Sequence, residues 1–455
     1  MSRDPLELVP GVRRIRPDDH FMLLSETDAS PMHVGALLVL EVSAADKPGL
    51  ADAFRRQLAE RLPATPMLAR LVEAPGGFDS DVWADVDNAD LAAHVVAEDA
   101  PLGGDDAFYA AVAERNMMRL DLSRPPFFAS VFAGLPGDRA AIYFRMHHSL
   151  ADGIGFQEVL RLLSDELPPQ TARVQDATLP SPEGWQDLAE ARFTAEALDR
   201  TRQSAARKSA LAALEAYRGE RSETPKFAFS GPTSAYRAYA PFALPLGRFK
   251  VVAQRFGATV NDLFLACASQ ALREYLLALG ELPAAPLVVN SARSYRRPEH
   301  GAFGNRIVAL HPHLATHIPD PLDRLRAIQA SMAAEMRRTP HDESLLDALE
   351  KPYGARDRRA AFAERLAGGA RIIPGNLTLS NVPGPAGERS FMGYRQLHNF
   401  PVPIIGSGRF LNITSRRSGE NLDMGVIADA AKIPDAAPIA RRFAAAFADY
   451  EQMET

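Results

Sequence analysis

The sequence predicts an α/β or α+β fold made of two similarly built halves, and three observations point to it. The chain has 455 residues, which is too many for one ordinary core, and we expect two domains. Apolar runs of strand length alternate with segments of helical periodicity on both sides of a proline-marked connection. Hydrophobic residues make up 46% and charged residues 24% of the chain, which supplies sizeable cores and excludes global disorder.

The first half, residues 1–166, alternates between the two kinds of pattern. Strands are expected at 33–41 and 140–146, and helices at 47–61 and 104–119. The second of these strands runs directly into two adjacent histidines, His147 and His148. Side chains able to carry out chemistry are therefore expected at the end of a strand.

Residues 167–231 are the expected connection, because they begin with a proline-rich loop and continue with an Ala, Glu and Arg-rich helical pattern over 185–218. The second half, residues 232–455, repeats the alternation of the first. Its strands are expected at 236–246, 286–290, 306–310, 372–380, 410–415 and 422–428, and its helices at 251–256, 262–279, 320–337 and 436–451. Thr259 and Asn261 are suited to cap the start of the helix at 262–279.

Charge and cysteine content narrow the class of protein. Lys and Arg number 51 against 57 Asp and Glu, a net charge of −6, so no overall basic field exists to hold nucleic acid. The one cysteine, Cys267, lies in an apolar run and is expected to be a buried hydrophobe. It excludes an intrachain disulfide and fits a reducing compartment. The spacing of His311, His313 and His317 is interrupted by Pro312, so no metal site is predicted.

A cytoplasmic location is expected, because the N-terminal segment lacks the apolar stretch of a signal peptide and no window approaches a membrane-spanning length. Peripheral attachment to the inner membrane face or to lipid inclusions stays open. The basic stretch at 356–359 is one candidate surface for a membrane or for phosphates, although a solvated helix face is the simpler interpretation.

The histidine pair is followed by Asp152, Gly153 and a helix pattern over 154–163. An imidazole is well matched to taking a proton from a hydroxyl near neutral pH and returning it to a leaving group. Adjacent strand residues face opposite sides, so only one of His147 and His148 can point into a given channel as the base. We expect Asp152 to brace the strand end or hold a neighbouring arginine. Gly153 is expected to adopt a backbone conformation closed to other residues.

A histidine pair alone is weak support for catalysis, because buried, hydrogen-bonded histidines are common. The catalytic interpretation of the pair is strengthened by the rest of the sequence, since the chain resembles one family nearly end to end. It is similar to the bacterial wax ester synthase/diacylglycerol acyltransferases, within the chloramphenicol-acetyltransferase-like superfamily. The matching segments are Pro31–Gly35, the HHxxxDG motif at His147–Gly153, the ND element in Thr259–Asp262, the GN element in Gly304–Arg306, the SNVPGP turn at Ser380–Pro385 and the LNIT strand at Leu411–Thr414.

The resemblance implies two chloramphenicol-acetyltransferase-like halves with a tunnel between them. Acyl-CoA and a hydroxyl acceptor would enter from opposite sides, with acyl-CoA as a substrate and no cofactor. It assigns His148 as the general base, leaves His147 to orient or shape the site, and makes the ND asparagine, Asn261, a candidate for polarising the thioester carbonyl. The same Asn261 could equally be a helix cap.

The expected reaction is esterification of a lipid alcohol, either diacylglycerol to triacylglycerol or a long-chain alcohol to a wax ester, by His general-base catalysis. Departures from the family pattern at Arg124–Phe127, His398–Pro403 and Ser415–Arg416 leave a second hypothesis open, a specialised acceptor such as a polyketide or glycolipid hydroxyl. A third hypothesis is a catalytically degenerate, lipid-binding member. The intact HHxxxDG motif argues against that one.

Overall fold

Two six-stranded mixed sheets form the centre of the protein in the computed structural model. The structure describes residues 6–73, 80–169, 174–202, 212, 223–338 and 374–454. The strands are β1 (Glu7–Val9), β2 (Val12–Arg14), β3 (His33–Glu41), β4 (Ala69–Val72), β5 (Val82–Asp85), β6 (Val95–Glu98), β7 (Phe127–Phe132), β8 (Arg139–His147), β9 (Arg237–Pro245), β10 (Val289–Ser294), β11 (Ile307–Leu310), β12 (Leu377–Val382), β13 (Ser390–Phe391), β14 (Tyr394–Val402), β15 (Leu411–Ser418) and β16 (Asn421–Asp429).

Helices cover both sheets and, together with the mixed sheets, confirm the predicted α/β class. In the part of the chain described, they are α1 (Pro17–Ser25), α2 (Leu50–Arg61), α3 (Leu91–His94), α4 (Gly104–Asn116), α5 (Gly153–Leu163), α6 (Pro182–Arg202), α7 (Leu246–Arg255), α8 (Val260–Ala278), α9 (Pro321–Arg338) and α10 (Ala437–Gln452). No helix within the described ranges is long and apolar enough to cross a membrane.

The first sheet has the strand order β13-β14-β3-β8-β7-β6 and is apolar on both faces. Eight of the nine residues of β3 are buried, as its branched, apolar sequence predicts. One face of the sheet packs against α2 and α5 through Phe54 and Phe156, and the other packs against α4 through Phe108. Because both faces are covered, the end of the central strand β8 is held in a fixed position.

The second sheet has the order β11-β10-β12-β15-β16-β9, in which β12 runs parallel to both β10 and β15. One face is apolar and packs on α8 and α10, with Leu379 and Ile413 against Phe264 and Phe443. Cys267 lies in this core, completely buried as predicted, and burial raises the pKa of its thiol. The opposite face of the sheet carries mostly short side chains and borders the cavity described below.

A strand from the second half completes the first sheet. β14 pairs antiparallel with β3, and Val402 lies opposite Gly35. The sequence pattern did not predict β14, because Pro401 interrupts it and proline cannot donate to a strand ladder. The proline is tolerated because β13 pairs only with the beginning of β14, at Tyr394 and Arg395, so the other side of β14 has no strand neighbour at Pro401 among the residues that the structure describes.

Most of the other predicted elements are found within a few residues of their expected bounds. The largest differences are at the helix expected from 251, which begins at Leu246 as α7, and at the strand expected from 372, which begins at Leu377 as β12. The strand expected over 286–290 is found three to four residues later as β10. Of the long helix expected over 185–218, the described part is α6. Apart from residue 212, which is helical, the remainder of that prediction lies outside the described residues, as does the basic stretch at 356–359. The boundaries at residues 166 and 232 remain predictions.

Candidate active site

A cavity of about 390 Å³ lies between the two halves, with residues of both in its wall. The N-terminal half contributes an apolar side and the residues of the HHxxxDG turn, namely Phe21, Met22, Met32, Val34, His148, Asp152, Gly153 and Ile154. The second sheet contributes a floor of small and polar residues, namely Asn290, Ala292, Ser294, Thr378, Ser380, Asn412, Thr414 and Arg416. A cavity of this size with an apolar side and a few convergent polar groups is the kind of space that holds a small-molecule substrate.

Strand alternation explains the floor. Side chains two residues apart on β12 and β15 share one face of the sheet. On β15 this face carries Asn412, Thr414 and Arg416, while Ile413 between them faces the apolar core. The register places Ser380 of β12 beside Thr414. Because these side chains are short compared with those of a packed core, the face leaves room for a substrate.

His148 is the histidine that lines the cavity. It follows the last residue of β8, and its backbone N–H donates to the carbonyl of Met32 at 2.8 Å. The ring Nδ1 is buried and has no hydrogen bond of good geometry within the described part of the chain, so we assign Nε2 as the nitrogen that can meet a substrate. Burial lowers the pKa of the imidazole, against smaller opposing effects of its own carbonyl, Asp152 and Asn305. The ring is therefore neutral at neutral pH, the state that a general base requires.

His147 points away from the cavity and is completely buried. The backbone N–H of Ser149 donates to its Nδ1 at 3.2 Å, and the Ser149 hydroxyl lies 2.6 Å from the same nitrogen. We therefore assign the ring proton to Nε2, which lies 3.8 Å from a carboxylate oxygen of Glu26. Burial, with a smaller effect of His148, lowers the pKa of His147 to about 3. Its environment is that of a neutral, packed side chain that supports the strand end.

Asp152 connects the motif to the second half of the protein. One carboxylate oxygen accepts from the backbone N–H of Gly155 at 2.9 Å and so caps the start of α5. The other accepts from the Arg296 guanidinium at 2.9 Å and from the backbone N–H of Arg306 at 3.1 Å. Both members of this ion pair are nearly inaccessible to solvent, with exposed side-chain fractions of 2% for Asp152 and 9% for Arg296. The expected bracing role and arginine partner are thus both found in the structure.

Gly153 differs from its expected conformation. It is the first residue of α5 and does not have a positive φ. The expectation that it adopts a backbone conformation unavailable to other residue types is therefore wrong. The constraint is instead one of space. A Cβ at this position would lie 3.0 Å from a methyl carbon of Val382 on β12, which is tighter than ordinary packing. The glycine allows the motif helix to approach the second sheet closely.

Asn305 and Asp19 support the backbone of His148 from behind. The Asn305 amide donates to the carbonyl oxygen of His148 at 2.7 Å. Asp19, on α1, accepts from the backbone and side-chain N–H groups of Asn305 at 2.6 and 2.7 Å. Burial raises the pKa of the Asp19 carboxyl to about 7, against the lowering effect of the Asn305 hydrogen bonds.

The structure does not bring Asn261 to the cavity. It lies in the first turn of α8 and is not among the cavity-lining residues of the described chain. The helix is capped by Thr259, whose hydroxyl accepts from Asp262 N–H at 3.1 Å, while Asp262 accepts from the Thr259 backbone at 2.9 Å. Neither the oxyanion role nor the capping role considered for Asn261 has support in this geometry.

Arg296, Asp19 and the role of Asn305 are the functional features that sequence reasoning missed. Arg296 lies 144 positions along the chain from Asp152, in the loop after β10, and no local pattern connects the two. Asn305 belongs to the GN element. The family resemblance matched this element but assigned no role to Asn305. Such pairings are long-range contacts that only the folded chain defines.

Both domain models of one family match this chain. The model of the wax ester synthase/diacylglycerol acyltransferase catalytic domain matches residues 15–264, and that of the C-terminal domain of the same family matches residues 303–451. The two matches together include the HHxxxDG turn, Arg306 and the cavity strands β12 and β15, while the cavity strand β10 lies between the two matched ranges.

Curated relatives extend over nearly the whole chain. A Mycobacterium tuberculosis protein named as a diacylglycerol O-acyltransferase is 31% identical over 445 residues, covering 90% of this chain and 85% of the relative. A second M. tuberculosis protein with the same description is 30% identical, covering 91% of this chain and 92% of its own length. A Mycobacterium bovis relative is also 30% identical and covers 96% and 98% of the two chains.

Solved structures show the same architecture. The wax ester synthase/diacylglycerol acyltransferase from Marinobacter aquaeolei VT8 superposes with a TM-score of 0.69 at 23% identity, covering 96% of this chain and 98% of that one. The starter condensation domain of rhizomide synthetase, a mutant in complex with C8-CoA, superposes with a TM-score of 0.57 at 16% identity, covering 97% of each. These likenesses confirm the two-domain fold. With the family models and the mycobacterial relatives, they show that the chain belongs to the wax ester synthase/diacylglycerol acyltransferase family and is an acyltransferase.

Proposed function

We propose that the protein transfers an acyl group from acyl-CoA to the hydroxyl of a lipid alcohol, with His148 as general base. The acceptor would be diacylglycerol, giving triacylglycerol, or a long-chain alcohol, giving a wax ester. The observation that carries the proposal is the placement of His148 at the end of a rigid strand, with a neutral imidazole in the wall of a cavity that has an apolar side.

The reaction balances without a covalent enzyme intermediate. Nε2 of His148 takes the proton as the hydroxyl oxygen attacks the thioester carbon. The C–S bond breaks as the tetrahedral intermediate collapses, a C–O ester bond remains, and the proton passes to the CoA thiolate. Because one imidazole both accepts and returns the proton, this scheme requires no second acid and no cofactor.

The apolar side of the cavity supports a lipid substrate. Phe21, Met22, Met32 and Val34 face the same space as His148, and Ile307 contributes from the second sheet. Burial of an alkyl chain against such side chains contributes roughly 0.8 kcal/mol per methylene. A chain of several methylenes would therefore be held without charged contacts.

The test is direct product analysis. Purified protein is incubated with radiolabelled palmitoyl-CoA and either hexadecanol or diolein, and the neutral lipids are separated by thin-layer chromatography. We expect labelled wax ester or labelled triacylglycerol. Release of CoA thiol with label only in free fatty acid would indicate a thioesterase and contradict the proposal, as would the absence of any acyl transfer.

Cytoplasmic activity at a lipid surface fits these acceptors, because diacylglycerols and long-chain alcohols partition into membranes and inclusions rather than water. We therefore propose peripheral association with the inner membrane face or with lipid inclusions. Co-flotation of the protein with liposomes that contain diolein would support it, and recovery of all protein in the lipid-free fraction would contradict it.

A further inference from the structure

One charged side chain in the cavity wall has no part in the mechanism above. Arg416, on the cavity face of β15, is only 1% exposed and borders the same cavity as His148. Burying a guanidinium is costly unless it is paired or used, so its bonds are informative.

The bonds of Arg416 occupy only part of its donor set. Nη1 donates to the side-chain oxygen of Asn399 at 2.7 Å. With the Gln157 amide turned so that its oxygen faces the guanidinium, Nε donates to it at 2.8 Å and Nη1 at 3.3 Å. Nη2 has no hydrogen bond to any described residue and is not among the buried polar atoms that lack a partner, so it retains some accessible surface. Because Arg416 borders the cavity, we take its two N–H groups to be available there.

The guanidinium is held beside the motif helix α5. The guanidinium carbon Cζ lies 5.5 Å from the centre of the Phe156 ring. The side-chain oxygen of Gln157, the next residue of α5, accepts a hydrogen bond from the guanidinium. Along the sheet, Arg416 is the register partner of Val382, whose methyl groups contact Gly153 of the motif. A ligand group at Nη2 would therefore lie a short distance from the HHxxxDG turn.

Neighbouring carboxylates leave the charge of Arg416 largely unpaired. Asp423 lies opposite it in the strand pair, but its two oxygens accept from His398 Nδ1 at 3.0 Å and from the Asn399 N–H at 2.6 Å. Of the carboxylates in the cavity wall, Asp152 pairs with Arg296. The other, Asp18, accepts from the Tyr295 hydroxyl at 3.0 Å.

Arg416 remains a cation at neutral pH. Burial is the main cause that lowers the pKa of its guanidinium, to about 10, and Asp423 opposes that effect. A second arginine, Arg409, also borders the cavity and adds to the positive potential there. This arrangement is suited to an anionic oxygen that enters the cavity, since guanidinium groups bind carboxylates and phosphates through charge-assisted hydrogen bonds.

We propose that Arg416 binds a carboxylate or phosphate group carried by the acyl acceptor close to its reactive hydroxyl, so that the preferred acceptors are anionic hydroxylipids. This inference rests on the proposed acyl transfer and names its acceptor class. The neutral acceptors named above would then be the poorer substrates.

Matched acceptor pairs test the preference. 3-Hydroxyhexadecanoate is compared with its methyl ester, and 1-palmitoyl lysophosphatidate with its dimethyl phosphate ester, so that the two members of each pair have the same acceptor hydroxyl and differ in the anionic group. The first pair tests a carboxylate and the second a phosphate. We expect kcat/KM with palmitoyl-CoA to be higher for the anionic member of at least one pair, and binding of that member without acyl-CoA, measured by calorimetry, to be tighter.

Variants assign the preference to this residue. In Arg416→Gln we expect the anionic-to-neutral ratio of kcat/KM to fall by about 10- to 100-fold, the usual range for losing a charge-assisted hydrogen bond. Arg417→Gln is the matched control, because Arg417 is next in sequence but is not among the cavity-lining residues, and its ratio should be that of the wild type. Arg416→Lys keeps the charge and should give an intermediate ratio if the glutamine variant does not fold.

The outcomes separate the two proposals. Equal binding and equal kcat/KM for both members of each pair in the wild type would overturn this inference, while transfer to neutral acceptors would still support the acyltransferase reaction. Preferential binding of an anionic member without transfer to any acceptor would overturn the proposed function instead. If Arg416→Gln weakens the binding of CoA itself and leaves the acceptor ratio unchanged, the arginine serves the donor, which also overturns the inference.

Discussion

The two central sheets differ in how their faces are used. The first sheet is packed with large apolar side chains on both faces, against α2 and α5 on one and α4 on the other. The second packs one face on α8 and α10 and leaves the other, with its Thr, Ser and Asn side chains, against the cavity. The first sheet therefore fixes the position of His148, the proposed base, and the second borders the space in which we expect a substrate to meet it.

The comparison extends to the two histidines. His147 lies on the packed side of the strand end and His148 on the open side, although they are adjacent in sequence. His147 makes buried contacts that support the strand end, and His148 is the histidine that reaches the cavity. Variants on the two sides should therefore affect different measurable quantities.

The largest effect is expected at the base. His148→Ala should lower kcat/KM by about two to four decades, the usual contribution of a general base, with little change in the melting temperature. His147→Asn should lower the melting temperature and retain far more of the turnover, because it disturbs buried contacts with Ser149 and Glu26 and leaves His148 in the cavity wall. Steady-state kinetics and thermal unfolding of both variants measure this. Similar losses of turnover in two well-folded variants would show that the division between them is wrong.

The next largest effect is expected where the two halves are tied together. Asp152→Asn removes one partner of the buried pair with Arg296 and should destabilise the protein by roughly 3–5 kcal/mol, measured by denaturant unfolding. The control is Asp323→Asn, which breaks an exposed pair with Arg326 and should cost about 1 kcal/mol or less. Equal changes in the two variants would mean that the ion pair at the motif contributes no more than a surface contact.

A smaller effect should distinguish the two faces of the second sheet. Thr414→Leu narrows the cavity floor and should reduce kcat/KM for long acyl-CoA relative to short acyl-CoA by on the order of tenfold. Ile413→Ala, one residue away on the core face, should instead cost roughly 2–5 kcal/mol of folding stability and leave the chain-length ratio unchanged. A changed ratio of kcat/KM for long and short acyl-CoA in the Ile413 variant would show that the two faces of β15 do not differ in function as described.

The most gradual effect is expected in the pH dependence of stability, where the change is spread over about three pH units. Burial raises the pKa of Asp19 from 3.8 to about 7, so the folded protein holds a proton that the unfolded chain has lost between these values. The resulting stabilisation is complete below pH 3.8 and is lost as pH rises through about 7, by up to about 1.4 kcal/mol per pH unit. Asp19→Asn should flatten that slope, measured by denaturant unfolding at pH 5 to 8. An unchanged slope would show that Asp19 does not carry the proton.

Local sequence patterns were sufficient for much of the fold and for the strand end that carries the two histidines, while the role of His148 as base remains a prediction. Branched apolar runs predicted β3, β8, β15 and β16, because burial on both faces or strict alternation leaves a clear pattern. The opposite directions of adjacent strand residues limited the base to one of two histidines, and the family resemblance selected His148. The capped start of α8 was also visible in the sequence, although Thr259 and Asp262, not Asn261, provide the cap.

Long-range pairings were beyond the sequence patterns. The Asp152–Arg296 pair and the Asp19–Asn305 hydrogen bonds join segments that are far apart in the chain. β14 was not predicted because Pro401 interrupts its sequence pattern. The proline is allowed there because the edge of the strand on which its missing N–H lies has no strand neighbour, which only the folded structure shows. The space required at Gly153 depends on Val382, which approaches it only in the folded chain.

The pairing of β14 with β3 has a consequence for biosynthesis. The first sheet lacks a strand until residue 402 has left the ribosome, because Gly35 must pair with Val402. Until then β3 presents an open edge, which is a template for pairing with other chains. We expect translation of this protein to depend on protection of that nascent edge. A polypeptide ending near residue 231 should be recovered mainly as aggregate, and supplying the missing segment as a separate polypeptide should restore solubility by strand complementation.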